Sequence, residues 1–265
     1  MFSFFSIRKY LPEFMQTPLF GDERWRTRTV GEEDRDWTKW CKQFTDFYES
    51  YYSNWLNRTV NAGGYSILRN RLVKGDAYLE VGPGIMPHLD FWKKRPKRLD
   101  VVDIRQEFLD RSIKTLHERG IESSGFLATD NQLPFPDGSY DAIVSFYSME
   151  HLLDLEECLT EFKRILKPGG ILVGAIPTEG GLAWGLGRWM TSRRKFRREF
   201  AEPDGNQGIR PFDFDKVIAM EHRNSAIKVI RACDRLFVRR HTSLWPLRIP
   251  LVDLNLVVRF IYANE

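Results

Sequence analysis

This chain is poor in cysteine, has no long apolar run and carries no strong excess of either charge. Its three cysteines, Cys41, Cys158 and Cys233, are odd in number and far apart among 265 residues. They do not suit a disulfide-stapled scaffold and fit a reducing compartment, so a cytoplasmic protein is expected. No stretch reaches the roughly 18 apolar residues that a membrane-spanning helix needs. The apolar run at residues 2–7 is short, with no small-residue cleavage site behind it, and does not read as a signal peptide. With 40 Lys and Arg against 36 Asp and Glu, the formal charge is only +4. Nucleic-acid binding needs a concentrated patch rather than a small surplus. His88, His117, His222 and His241 have no acid or cysteine at metal-ligand spacing. They read as structural or solvent-facing, and no metal is expected. What is present, 42% hydrophobic and 29% charged residues, suits a globular α/β domain with extensions.

After an irregular first 35 residues, Trp37, Trp40, Cys41, Phe44, Tyr48, Tyr51, Tyr52 and Trp55 recur at steps of three and four. That spacing predicts one aromatic-faced helix ending before Gly63-Gly64, packed on the main domain or covering its pocket. From Ala77 the texture changes. Residues 78–81, 99–102, 126–127, 143–146 and 171–176 are short apolar runs of the kind that form buried strands. Between them, Phe108, Leu109, Ile113 and Leu116 line one helical face, closed by Gly120. Leu155, Leu159, Phe162 and Leu166 line another, opened by Asp154 with Glu157 three residues on, and closed by Pro168-Gly169-Gly170. The alternation means βαβ units and a largely parallel sheet. A helix at about 213–222 and strand-like runs at 227–238 and 254–262 are expected to follow.

Ligands of an open parallel sheet bind beyond the carboxyl ends of its strands. The first strand delivers Glu80-Val81-Gly82-Pro83-Gly84-Ile85-Met86, where Gly82 and Gly84 allow a tight turn and close approach of backbone to ligand. The second ends at Asp103, 19 residues after Gly84, where a carboxylate can accept both hydroxyls of a ribose. Two glycines and a later acid serve NAD, FAD or S-adenosylmethionine equally. A dinucleotide site, however, needs a third glycine at position 87, and this chain has Pro87, which offers no N–H to a pyrophosphate. S-adenosylmethionine has no pyrophosphate, and its sulfonium favours a nearby carboxylate. Glu80 is the acid closest to the turn and is read as its brace.

The segment from Asp130-Asn131-Gln132-Leu133-Pro134 through Asp137-Gly138-Ser139-Tyr140-Asp141 precedes the fourth strand. Glu150-His151-Leu152-Leu153-Asp154 and Leu166-Lys167-Pro168-Gly169-Gly170 come after it. Together with Glu80-Val81-Gly82-Pro83-Gly84, this order closely resembles the class I S-adenosylmethionine-dependent methyltransferases that act on small molecules, quinones and lipid or sugar intermediates. The resemblance covers about residues 77–178. It implies a Rossmann-like, mostly parallel seven-stranded sheet with helices on both faces and an antiparallel final strand. It also implies that Gly82 and Gly84 face the cofactor's methionyl and ribose portions, and that Asp103 binds the ribose hydroxyls. Asp130, with Asn131 or Gln132 beside it, would bind the adenine, and Tyr147 would lie under the reactive centre. Met86 and Pro87 depart from the family's usual small or polar residues, so the first helix is expected to start late or tilt.

Methyl transfer from a sulfonium is an in-line displacement, needing a base only when the acceptor holds its proton. His151, just after the fourth strand, is the candidate base, with a loop-bracing role as its rival. Residues 1–64 read as an N-terminal extension and 65–265 as the catalytic domain, with a cap-like insert at about 179–211. That insert holds Trp184, Trp189 and the basic run from Arg193 to Arg198. It suits a lid over an anionic acceptor such as a phosphorylated or nucleotide-linked sugar, contact with an anionic membrane, or simply a solvated helix. The acceptor expected of the whole chain is a small molecule, a lipid-linked intermediate or a sugar. No second basic patch or aromatic platform accompanies the insert, which argues against nucleic acid. A methyltransferase-like subunit without activity and an NAD-dependent oxidoreductase are the alternatives.

Overall fold

The computed structural model describes residues 5–12, 14–16, 34–44, 48, 55–129, 132–190, 192–204 and 208–265. Its sheet contains β1 (Ala77–Val81), β2 (Arg98–Asp103), β3 (Gly125–Leu127), β4 (Tyr140–Phe146), β5 (Leu166–Pro177), β8 (Val238–Trp245) and β9 (Val257–Ala263). A separate hairpin joins β6 (Glu202–Asp204) to β7 (Gly208–Arg210). The seven strands lie in the order β3-β2-β1-β4-β5-β9-β8. Pairs from β3 to β5 are parallel, and β9 runs antiparallel between β5 and β8. The expected Rossmann-like sheet with its antiparallel strand is therefore the observed one. Strand order reverses between β1 and β4, and that switch point opens a crevice at their carboxyl ends.

The helices are α1 (Arg35–Lys42), α2 (Trp55–Tyr65), α3 (Gln106–Glu118), α4 (Leu155–Ile165), α5 (Leu182–Met190), α6 (Ser192–Glu199), α7 (Phe214–Glu221) and α8 (Ala226–Leu236). Alternation along the strands divides the core. Leu79, Ile143 and Leu172 pack with Leu159 and Phe162 of α4 and Val229 and Cys233 of α8. Tyr78, Val144 and Val173 pack on the other face with Val60 of α2 and Leu109 and Leu116 of α3. The cap on α4 forms as expected, Asp154 accepting from the Glu157 N–H at 3.1 Å. A third cluster is separate from the sheet. Trp40 of α1, Phe196 of α6, and Phe212, Phe214, Val217 and Ile218 at α7 form it, and Arg210 of β7 grips Asp36 with two hydrogen bonds of 3.0 and 2.8 Å.

Three expectations change. The run at 227–238 is mostly the helix α8, capped by Ser225, with Ala226, Val229, Ile230 and Cys233 buried at helical spacing. Gly63 and Gly64 do not end a helix but lie within α2, because side chains there would collide with Trp245 and Tyr147. They let the helix approach the sheet closely. Between β1 and β2 only a single 3-10 turn forms, Leu89–Phe91, which fits the conformational restriction at Met86-Pro87. The middle of the expected aromatic helix, residues 45–47 and 49–54, lies outside the described residues. No helix among the described residues is long and apolar enough to cross a membrane.

Candidate functional site

β1 leads into a turn in which Gly82 and Gly84 have φ of 70° and 56°, the left-handed region that a Cβ disfavours. The Gly82 N–H donates to the Val102 carbonyl at 2.9 Å, and the Ser112 hydroxyl of α3 donates to the Gly84 carbonyl at 3.2 Å. Bare backbone lines the crevice here. A side chain at Gly82 would strike Ser148 after β4, and one at Gly84 would strike the Tyr48 phenol. Below the turn, Glu80 and His88 are each 1% exposed, with Oε2 and Nε2 3.1 Å apart but out of hydrogen-bonding alignment.

Asp103 stands on the neighbouring strand end. Its Oδ1 accepts from the Arg105 N–H at 2.9 Å, while Oδ2 has no hydrogen-bond partner among the described residues. Burial lifts its pKa to about 6, against the opposing pull of the Arg105 N–H and guanidinium. The glycine turn and an under-partnered carboxylate thus share one edge of the crevice. Asp130 and Asn131 lie outside the described residues.

Tyr147 follows β4 with a φ of 54°, uncommon for a bulky residue. Its hydroxyl donates toward the Val60 and Asn61 carbonyls of α2, at 3.3 and 3.2 Å. His151 turns its Nδ1 toward the Glu221 carbonyl at 3.3 Å and meets His222 edge to face at 4.6 Å between ring centroids. Burial first, and His222 second, push its pKa down. Around it lie groups to which sequence reading gave no role. The His222 Nδ1 bonds the Glu179 carboxylate, which Arg188 of α5 also holds. Glu150 is 2% exposed, and burial, then Glu179 and Glu221, push its pKa well up. Burial raises Glu221 to about 8. Their positions, 28 to 71 residues beyond His151 for Glu179 and His222, gave no local motif; only the fold brings the ends of β4, β5 and α7 together.

A surface groove of about 610 Å³ lies elsewhere. Asp137, Arg164, Pro168 and Asn264 line it at the amino ends of the parallel strands, away from the glycine turn.

Comparison with known proteins covers the same stretch of chain. Residues 79–174, which hold the glycine turn, Asp103 and the β4 loop, match the family model described as a methyltransferase domain. The demethylmenaquinone methyltransferase of Thermus thermophilus is 35% identical over 128 residues, covering 44% of this chain and 57% of that one. The rat mitochondrial arginine-hydroxylase NDUFAF5 is 34% identical over 101 residues, covering 37% of this chain and 28% of that one. The chain thus spans less than two thirds of the length of these curated relatives. In fold it is similar to the PH0226 protein of Pyrococcus horikoshii, with a TM-score of 0.52, 15% identity and coverage of 80% and 92% of the two chains. It is also similar to the geranyl diphosphate C-methyltransferase of Streptomyces coelicolor, with a TM-score of 0.51, 14% identity and coverage of 76% and 79%.

Proposed function

We propose that this chain transfers a methyl group from S-adenosylmethionine to a small amphiphilic or anionic acceptor. The observation that carries the reading is the bare Gly82–Gly84 turn beside Asp103, whose Oδ2 remains available at the same crevice. These groups fit the cofactor: the turn admits its methionyl and ribose portions, and Asp103 accepts from the ribose hydroxyls. Asp130 and Asn131 take the adenine in this proposal, Glu80 braces the turn from beneath, and Tyr147 shapes the wall beside the reacting methyl. When bound, S-adenosylmethionine supplies an electrophilic methyl group. The chain's own task is to align an acceptor with it and exclude water. Tyr48 stands over Gly84, so the cofactor enters as that ring swings aside.

The cap supports the acceptor class. Residues 34–44, 182–190, 192–204 and 208–221 make up a cap that leaves Leu186, Trp189 and Met190 exposed on α5 and Lys195, Arg197 and Arg198 exposed on α6. Apolar side chains beside cations suit an amphiphile drawn from an anionic surface. The relatives named for demethylmenaquinone and geranyl diphosphate make the same class worth testing. The hydroxylase-named relative shares only about a third of this chain, and none of its named activity is carried over. Isothermal titration with S-adenosylmethionine and S-adenosylhomocysteine tests the reading. Saturable binding of both is expected, and no heat at millimolar cofactor would sink it.

A further inference from the structure

A base for the acceptor needs an open nitrogen and a partner that steadies the charge it gains. His151 lacks the second: its Nδ1 faces the neutral Glu221 carbonyl rather than a carboxylate, and burial, then His222, push its pKa down to about 3. His222 is arranged differently. Its Nδ1 meets the Glu179 carboxylate, an acceptor, so a neutral ring places its proton on Nδ1 and its lone pair on Nε2. Among the described residues Nε2 has no hydrogen bond, and it is not one of the fully buried unpartnered atoms. The side chain is 17% exposed, against 9% for Glu179.

We propose that His222 is the base that takes the acceptor's proton and that Glu179, fixed by Arg188, is its positioning residue. This rests on the methyltransferase reading. The placement supports it. Glu179 follows β5, His222 caps the end of α7, and His151 follows β4. Ser148, bonded through its carbonyl to the His151 N–H at 3.0 Å, borders Gly82. The pair therefore stands one ring contact from the loop that walls the cofactor crevice. Charged and titratable groups facing it are Arg188 from α5, His151 and Glu150 from the β4 loop, and Glu221 from α7, with Arg105 acting on Glu221. Arg188 is paired with Glu179. Among the described residues no three His, Cys, Asp or Glu side chains are arranged to hold a metal ion, so the cluster does not read as a metal centre.

In the step, an acceptor O–H, N–H or acidic C–H gives its proton to the His222 Nε2. The electron pair released on the acceptor forms the new bond to the methyl carbon. The carbon–sulfur bond breaks with its pair remaining on sulfur, which becomes a neutral thioether, and the imidazolium then returns its proton to water.

The test uses the full chain labelled with ¹⁵N-histidine. At pH 8 the His222 Nε2 should resonate as an unprotonated nitrogen, and in Glu179→Gln the imidazole should bind its proton at least tenfold more weakly. A protonated Nε2, or a proton affinity unchanged in Glu179→Gln, overturns the proposal. The same samples are titrated with S-adenosylhomocysteine by calorimetry. Failure to bind it would sink the methyltransferase reading while leaving the imidazole result standing. Against a panel of phenols, quinols and acidic-carbon acceptors, turnover should fall ~10²–10⁴-fold in His222→Gln, with cofactor affinity kept. The limb of the kcat–pH profile assigned to the base should shift to lower pH in Glu179→Gln. Equal turnover by parent and His222→Gln overturns the assignment.

Discussion

The sheet and the cap are built on different physical terms. In the sheet, β2, β1, β4 and β5 are each paired on both sides, and the side chains of these inner strands are buried on two faces by different helices. The cap has one small aromatic cluster and is tied by polar contacts between segments far apart in sequence. Asp36 with Arg210, Lys39 with Glu202 at 3.0 Å, and Asp34 with Lys216 are examples. An element anchored by many buried apolar contacts opens only with the whole domain, whereas one held by a few ion pairs opens locally. Under the proposed function, cofactor binding falls to the rigid part and acceptor access to the yielding one.

The strongest test of the rigid part is Gly84→Val. A branched side chain at a φ of 56° would be strained and would also strike Tyr48. The left-handed conformation alone costs about 1–2 kcal/mol. Cofactor affinity should fall by more than about a hundredfold, roughly 2.7 kcal/mol, with the far-ultraviolet dichroism of the sheet retained. A dissociation constant within threefold of the parent would mean that the turn does not receive the cofactor.

Asp103→Asn should weaken cofactor binding roughly ten- to a hundredfold, the loss of a charge-assisted acceptor worth about 1.5–3 kcal/mol. The carboxylate is the form that accepts from two hydroxyls. Since burial holds its pKa at about 6, affinity in the parent should rise as pH rises through 6 and level off above it. Calorimetry between pH 5 and 8 should find that slope missing in the variant. The same slope in both proteins would place the titrating group elsewhere.

The contrast also explains what the sequence made legible. Strands buried on both faces announce themselves as apolar runs, and the glycine turn and Asp103 lie at the ends of such runs, so both could be located by position. The 227–238 stretch misled because Ile227, Val229 and Ile230 satisfy a strand as readily as a helix. Ser225 as a cap and the spacing of Ala226, Val229, Ile230 and Cys233 were the signals that could decide it. The Glu179–His222 pair had no such signal, since its two residues come from separate elements of the fold. Phe196 was hidden differently. Set among five cations it looked like part of a solvated run, yet it stacks on Phe214 at 4.7 Å and anchors α6 to the cap.

At the amino ends of the strands, Asp141 accepts from the Asp76 and Ala77 N–H groups, both at 2.9 Å, and from Lys167 at 2.7 Å. Burial alone would raise its pKa, but Lys167 and the two N–H groups outweigh that and hold it at about 2. Because the folded value lies below the unfolded one, the stabilisation is complete above pH 4 and lost as pH falls through 2. Asp141→Ala should therefore cost about 2 kcal/mol at pH 7, read by urea unfolding, and the difference from the parent should shrink in acid. Asp36→Ala acts on the other region. It should loosen the cap by about 1.5 kcal/mol, seen as faster proteolysis within 192–221, while the main unfolding transition of the sheet stays in place. A matching fall in that transition would show that cap and sheet unfold together.

The smallest effect expected from any one side chain belongs to the basic face of α6. Lys195, Arg197 and Arg198 are exposed there, and Trp189 of α5 keeps 48% of its surface while Trp184 turns inward to donate to the Leu256 carbonyl at 2.8 Å. The two tryptophans are five residues apart, about 140° around a helix, so one can anchor the cap while the other faces outward. Each exposed cation removed should cost up to about 1 kcal/mol of affinity for an anionic bilayer, an attraction that high salt screens. Neutralising Lys195, Arg197 and Arg198 together should release the protein from phosphatidylserine vesicles in sedimentation. Phe196 stays in place, so the cap cluster is kept. Calorimetry should return the parent's S-adenosylmethionine affinity, because no residue of α6 contacts the glycine turn among the contacts described. Equal sedimentation by parent and variant would remove the bilayer as the source of the acceptor. A loss of cofactor affinity in step with vesicle release would break the contrast itself, by showing that the yielding part of the molecule also supports the rigid site.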